Sequence, residues 1–577
     1  MVDLSTVTPA IALGPLDGRY RSVAAPLTNY LSEAALNRAR LTVEVEWLVH
    51  LTDDGVLPGA PTLSDAERSY LRGVVESFGA DEIAELAEIE TVTRHDVKAV
   101  EYLLKRRLDA AADADVTGAD GGATVLPTVH EIVHIFCTSE DVNNLSYALT
   151  VRDAVQDVWL PAARGLVEDL AAIARDNADA AMLSRTHGQA ATPTTLGKEM
   201  AVLAWRLGRQ VKRVEGAEYL GKINGATGTY GAHVVSVPGA DWQEVSRTFV
   251  EGLGLTWNPL TTQIESHDWQ AELYSDVARF NRIAHNLATD VWTYISLGYF
   301  HQRLSAQGST GSSTMPHKVN PIRFENGEAN LEISCSLLDT LAATLVTSRM
   351  QRDLTDSTTQ RNIGVAFGHS LLAIDNIRRG LAGLDVDRAR LAEDLDATWE
   401  VLGEPVQQAM RHLVDFDGMA NAGGPLFADG AMSFSTPSLQ TLMTILGTDL
   451  TPGRALGEVA LSGPVRLAQR RMRFEGLDIT VDGNSGSGVL EIGISAQRAE
   501  PAVTGTLDFA TLDIAAFLSA FIDLPQLVGD GPPSMADVAT QISTDLRVSA
   551  AAATFGDLSL ENLAATAQVS DEVAIFD

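Results

Sequence analysis

The segment Gly308-Ser309-Thr310-Gly311-Ser312-Ser313-Thr314-Met315-Pro316-His317-Lys318-Val319-Asn320-Pro321 combines two kinds of local chemistry. Its first half has two glycines and five hydroxyl side chains, the composition of a movable loop. Its second half predicts a helix start, with Asn320 as N-cap and Pro321 at the first helical position. Lys318 beside a helix N-terminus makes a site for an anion. Composition alone leaves two readings open, a Gly/Ser linker before an ordinary capped helix, or an active-site loop.

Working outward, the chain has 577 residues, enough for two to four domains. A net charge of −34 argues against non-specific binding to nucleic acid or to an anionic membrane. Cys137 and Cys335 are far apart, which predicts neither a disulfide framework nor a zinc motif. No His-Glu-x-x-His spacing, Walker A loop or Rossmann glycine pattern occurs, so no metal or cofactor is expected. The first twelve residues have no basic n-region and no apolar run approaches 18 residues, so the expected location is cytoplasmic.

Helical periodicity dominates up to about residue 412. Helices are predicted over 28–51 and through 64–108, with a surface loop at 109–127. Long helical runs follow at 149–178, 195–218, 268–304, 321–349 and 359–381. Long apolar-striped helices with few breakers predict a bundle, and a bundle this long is expected to bury its remaining apolar surface in an oligomer. After His412 there is no Lys, His, Trp, Tyr or Cys, and 414–577 holds 21 acidic residues against 7 arginines. Short alternating runs at 477–483, 488–494, 505–509 and 545–549 predict strands, with helices at 437–446 and 511–521. Residues 474–479 and 555–560 look like an internal echo. The expected division is an N-terminal helical domain 1–127, a long-helix bundle 128–381, a shortened third domain 382–413 and a mostly-β module 414–577.

Several polar segments could carry chemistry. His187 lies in a polar, Gly-flanked kink at 183–189, His95 at a helix start, and His317 in the opening loop. An imidazole in such a turn suits proton transfer near neutral pH. Arg19 and Tyr20 follow a tight turn. Thr138 and Ser139 open a helix, 221–226 is a Gly-bracketed loop, and 261–265 precedes a long helix. Residues 349–357 link two helices, with Arg361 next. Each alone is as well explained by an ordinary polar connection. Together, arginines in so acidic a chain suggest a small polyanionic ligand, because guanidinium pairs bidentately with phosphate and carboxylate.

The string 311–321 resembles the signature of the fumarase/aspartase superfamily. Residues 17–20, 95–102, 137–141, 184–189, 221–226, 261–265 and 351–357 resemble bacterial adenylosuccinate lyases, so that the likeness covers about 12–412. It implies a mainly α, three-domain fold with a long central helical bundle, a homotetramer with shared active sites, and β-elimination of fumarate from adenylosuccinate and SAICAR. Ser312 resembles the general base and His187 the general acid. Arg19, Tyr20, Arg94, His95, Asp96, Thr138, Ser139, Gln263, Ser313, Lys318, Asn326, Arg352, Ser357 and Arg361 resemble substrate contacts. Arg94 departs from an expected Asn, and Ser266 from an expected Pro. Argininosuccinate lyase and fumarase are the alternatives within the superfamily; 222–226 and 261–265 favour the purine enzyme. Beyond 412 the motifs at 431–439, 507–514, 545–550 and 555–563 resemble AsmA-type envelope proteins. That likeness implies a fusion or a chimeric reading, or an envelope-associated binding protein carrying a degraded lyase.

Overall fold

A computed structural model describes residues 11–53, 55–303, 315, 318–421, 427–438, 457–468, 471–494, 501–519, 543–570 and 573–576. The chain forms two compact units, Met1–Trp399 and Glu400–Asp577.

The first unit is helical. Ser32 splits the predicted 28–51 helix by capping, with its Oγ accepting the Ala35 N–H at 3.1 Å. Helix α1 is Arg21–Leu31 and α2 is Glu33–Asp53. Apolar residues surround α2 on nearly every side, so it lies between two cores. Leu36, Val43, Trp47 and Leu51 enter one, and Leu41, Val45 and Leu48 the other. The second core is closed by α3 (Asp65–Glu76), α4 (Ala80–Thr93) and α5 (Asp96–Ala110).

The long elements are α6 (Ser139–Ala154), α7 (Leu160–Asp176), α8 (Leu196–Glu215), α11 (Asp268–Ser296), α12 (Ile322–Leu345) and α14 (Ile363–Ala382). Two short helices, α9 (Gly231–Ser236) and α10 (Trp242–Gly252), precede α11. Another, α13 (Thr355–Gln360), precedes α14, and α15 (Arg388–Asp396) follows it. A single π turn, Val155–Trp159, joins α6 to α7 just before Pro161, which has no N–H for the regular ladder. Buried polar side chains fix how the long elements face each other. The Trp159 indole donates to Ser370 at 2.9 Å, Ser370 to Asn281 at 2.8 Å, and Asn281 to Ser334 at 3.0 Å.

The structure corrects three helix boundaries. The predicted 268–304 helix ends at Ser296 and the 359–381 run breaks at 361–362. Helix α12 begins one residue later than predicted: Pro321 is its N-cap, with ψ 44°, and Asn320 lies outside it. The polar kink at 183–189 proves to be a hairpin, with β1 (Ala181–Thr186) antiparallel to β2 (Gln189–Thr195). Two further short pairs tie connections together, β3 (Leu220–Gly221) with β4 (Thr256–Trp257), and β5 (Phe300–Gln302) with β6 (Leu384–Val386).

The second unit is a nine-stranded sheet, preceded by α16 (Gly403–Leu413). Strands β7 (Val414–Ala420) to β15 (Val573–Phe576) lie in sequence order, antiparallel except for the β12 (Pro501–Asp513) and β13 (Ser543–Phe555) pair. The predicted strands fall in β10 (Arg471–Val481), β11 (Asn484–Ile494), β12 and β13. A bulge between Glu475 and Leu477, with Gly476 at φ 79°, puts both Phe474 and Leu477 in the core despite their odd spacing. The predicted 511–521 helix starts later, as α17 (Ile514–Ser519), because 511–513 completes β12; residues 520–521 lie outside the described residues. Most of the 437–446 prediction lies outside the described residues. The supposed echo is not structural: 474–479 runs mid-strand, whereas 555–560 spans the turn from β13 to β14 (Leu558–Ser570). Among the described residues, no helix is long and apolar enough to cross a membrane.

Candidate active site

The N-terminus of α6 organises the polar residues of the first unit. Asp141 is fully buried and accepts four donors. These are Lys222 Nζ at 2.8 Å, Asn224 N–H at 2.9 Å, Gly225 N–H at 3.1 Å and Thr138 N–H at 2.8 Å. Lys222 is as buried as its partner. One carboxylate thus pins the Gly-bracketed loop to the turn presenting Thr138 and Ser139. The Gln263 amide donates to the Ala226 carbonyl at 2.7 Å, and the Thr262 hydroxyl to the Gln351 carbonyl at 3.0 Å. Four of the segments predicted to be functional therefore meet here.

From α6 a chain of charged contacts runs in two directions. Glu140 faces Arg352 at 2.9 Å. Arg352 also lies 3.6 Å from Asp356, which takes His267 Nε2 at 3.3 Å and its own neighbour Ser357 N–H at 2.6 Å. Burial alone would raise the Asp356 pKa, but His267 and Arg352 hold it below the ordinary carboxylate value. In the other direction Glu140 accepts from Asn143 at 2.9 Å, and Asn143 accepts from Arg40 Nε at 2.9 Å. Arg40 then pairs with Asp96 at 2.9 Å, and Asp96 with Arg361 at 3.3 Å. Arg361 also takes Glu33 at 2.6 Å. Burial of Asp96 is likewise outweighed, by Arg40 first, so its pKa is depressed. Asp96, Arg352, Ser357 and Arg361 thus belong to one network, which passes through Glu140, the residue after Ser139.

His95 is the N-cap of α5, and its Nδ1 accepts the Lys98 N–H at 3.2 Å. That bond leaves the proton on Nε2, so the half-exposed ring offers a donor. Arg94 is exposed and caps α4 with φ 51°. A second small chain starts at Tyr20, whose hydroxyl accepts from Asn326 at 3.2 Å. Asn330 donates to Asn326 Oδ1 at 3.1 Å, and its own Oδ1 lies 2.7 Å from His369 Nδ1. Arg19 is exposed, its guanidinium 5.9 Å from the Tyr20 ring centre.

His187 occupies the hairpin tip with Gly188, at φ 54° and 74°, the positive pair that a two-residue type I′ turn requires. The hairpin is anchored by Arg185 to Asp394 of α15 at 2.9 Å, leaving the His187 ring exposed. Among the described residues no hydrogen bond or ion pair joins His187 to the α6 network. Lys318 is also exposed, its N–H on the Met315 carbonyl at 3.1 Å. Ser312, Ser313 and His317 lie outside the described residues.

Sequence reasoning missed Arg40 and Asn143 as members of this site, and gave Lys222 no role beyond its place in the 221–226 segment. Arg40 sits in an apolar helix; besides Asn37 on its own helix, the partners that place it in the network lie 56 and 103 residues away, beyond any local spacing.

The first unit, long helices crowned by polar connections, has the fold of a lyase. Residues 18–333 match the family model described as Lyase, and 348–422 the one described as Adenylosuccinate lyase C-terminal. The chain is 45% identical over 410 residues to adenylosuccinate lyase of Haemophilus influenzae, covering 71% of this chain and 86% of that one. The Escherichia coli K12 enzyme is 46% identical over the same shares. The chain therefore belongs to the adenylosuccinate lyase family. Its fold resembles a fumarate lyase from Mesorhizobium sp. BNC1, with TM-score 0.53, 19% identity, and 67% of this chain and 82% of that one covered. A β-carboxy-cis,cis-muconate cycloisomerase from Acinetobacter calcoaceticus gives TM-score 0.53 at 16% identity, covering 67% and 83%.

Proposed function

We propose that this chain is an adenylosuccinate lyase that eliminates fumarate from adenylosuccinate to give AMP and from SAICAR to give AICAR. The carrying observation is the joining of Asp96, Glu140, Arg352 and Arg361, distant in sequence, in a chain 45% identical over 410 residues to a relative named for that activity. Both substrates are polyanions, and guanidinium groups held in place by carboxylates are positioned to bind them.

In this reading Ser312, as alkoxide, removes the proton beside a carboxylate of the succinyl group. The electron pair forms the C=C bond of fumarate, the C–N bond breaks, and His187 protonates the departing nitrogen. Lys318 stabilises the alkoxide and a substrate carboxylate. Arg19, Tyr20, Arg94, His95, Thr138, Gln263, Ser313, Asn326 and Ser357 are the remaining contacts.

Among the described residues no bond joins His187 to the α6 network, and in this reading His187 serves a site assembled from several copies of a homotetramer. Exposed Trp205 at 70% and Trp292 at 43%, on α8 and α11, support helix-on-helix association. We read the enzyme as cytoplasmic, with divisions at 127, 381 and 413, and the terminal sheet as a fused AsmA-like module.

The test is the ultraviolet absorbance change when either purine substrate is added. Ser312→Ala and His187→Gln each reduce kcat by about 10²–10⁴-fold. Mixing the two inactive variants restores part of the turnover if copies share sites. Turnover of argininosuccinate alone, or near wild-type rates for Ser312→Ala, sinks the reading.

A further inference from the structure

The His187 ring is exposed at the tip of a hairpin, so its placement depends on what holds that hairpin. Met182 and Leu183 bury the inner half of β1, whereas every residue from Arg185 to Ala190 is exposed. Burial therefore fixes the base of the hairpin and not its tip. Among the described residues, the side chains of this outer half form one ion pair, Arg185 Nη2 with Asp394 Oδ2 at 2.9 Å.

Asp394 lies in the last turn of α15 and is itself held in place. The same Oδ2 accepts the Tyr299 hydroxyl at 2.5 Å, while Oδ1 faces Arg390 Nη2 at 3.3 Å. Tyr299 is 1% exposed, and its carbonyl accepts the N–H of Asp387, the N-cap of α15, at 2.9 Å. Arg388, in the first turn of α15, pairs with Asp179 at 3.0 Å and donates to the Asp176 carbonyl at 2.9 Å, just before β1. Helix α15 is thus a splint for β1, fastened at the base by Arg388 and towards the tip by Asp394. The Tyr299 hydroxyl first, then Arg185 and Arg390, hold the Asp394 carboxyl below the ordinary carboxylate value against the penalty of burial, so it is charged at neutral pH.

We propose that Asp394 is a positioning residue for proton transfer: by gripping Arg185 from the buried Tyr299 platform, it sets where the His187 imidazole meets the departing nitrogen. This rests on reading His187 as the general acid. The Arg185–Asp394 pair is partly open, with side chains 35% and 18% exposed, so it adds little to stability. Its effect falls on geometry instead, because a displacement of about 1 Å costs about 10²-fold in rate.

The experiment uses full-length protein with adenylosuccinate as probe. Asp394→Ala and Arg185→Ala each lower kcat by about 10–10²-fold, leave KM within about threefold and move the melting temperature little. Arg185→Ala leaves Tyr299 and Arg390 bonded to Asp394, so it separates the link from any general loss of fold. The double variant is no slower than the slower single one, because the same link is cut twice. Copies are then mixed. Asp394→Ala with Ser312→Ala regains turnover above the mean of the two separate preparations, since in shared sites the Ser312→Ala copy supplies a well-placed His187. Asp394→Ala with His187→Gln gains nothing, since neither copy supplies that group in place. Wild-type kcat in Asp394→Ala, losses that multiply in the double variant, or recovery with His187→Gln overturns the proposal. A wild-type chain without lyase activity is a failure of the functional reading instead. Hydrogen exchange then still decides the anchor: the amides of 184–190 exchange faster in Asp394→Ala than in wild type while those of α8 are unchanged, and equal exchange at 184–190 overturns it.

Discussion

Arg40 and Asp96 meet at 2.9 Å with the guanidinium almost sealed from solvent, at 3% exposure, and the carboxylate a quarter open. The pair lies midway along the contacts joining Arg361 to Arg352, so two potential anion-binding arginines share one rigid support. Replacing Arg40 with Met keeps most of the volume and leaves Asp96 with Arg361 as its remaining cation, at 3.3 Å. The expected loss is about 2 kcal/mol, below the value for a fully buried pair because Asp96 is partly hydrated. Arg40 depresses the Asp96 pKa, so its contribution exists above about pH 4 and disappears as pH falls through the lowered value. Melting temperatures of wild type and Arg40→Met should thus differ at neutral pH and converge in acid. A constant gap across that range contradicts the electrostatic account.

Lys222 and Asp141 present the stricter case, since both side chains are fully buried. Lys222→Met leaves a carboxylate with three backbone donors and no cation. Breaking such a pair costs about 3–5 kcal/mol. Denaturant unfolding of the variant should show an earlier midpoint of that size. A variant as stable as wild type shows that the three N–H donors suffice for the charge.

How much of this was legible in the sequence depended on the range of the signal. The long helices were readable because apolar stripes recur within each segment, as along α11. Helix ends were less readable, because they depend on single backbone angles: Pro321, not Asn320, caps α12. The hairpin at His187 was hidden because β1 and β2 are short and polar. The His-Gly pair at its tip was its one local mark. The candidate residues were located by motif, but their wiring was not. Arg40 resembles any solvent-facing arginine until the fold buries it against residues 56 and 103 positions away.

The departure at Arg94 has a physical reading in the backbone. Arg94 adopts φ 51° at the C-terminal end of α4, with its N–H on the Glu90 carbonyl at 2.8 Å. Asn tolerates this region better than Arg, because its short side chain can satisfy the local backbone. Arg94→Asn should therefore stabilise the first unit by under about 1 kcal/mol. It should also raise KM for the phosphate-bearing substrate if the guanidinium contributes binding. Thermal unfolding and KM read the two effects separately, and a destabilised Asn variant contradicts the backbone argument.

The terminal sheet has its own core, in which Phe474, Leu477, Leu507, Phe509 and Leu546 are nearly inaccessible. None of the candidate site residues lies after Arg361. A chain ending at residue 412 loses the whole sheet but retains every group assigned to binding or proton transfer. Its kcat/KM should stay within about twofold of the full chain, the scale of changes away from buried networks. Activity assays together with light scattering test this, because the truncated chain should also keep the full chain's subunit number. Loss of both activity and assembly would mean that the appended sheet supports the enzyme rather than merely following it.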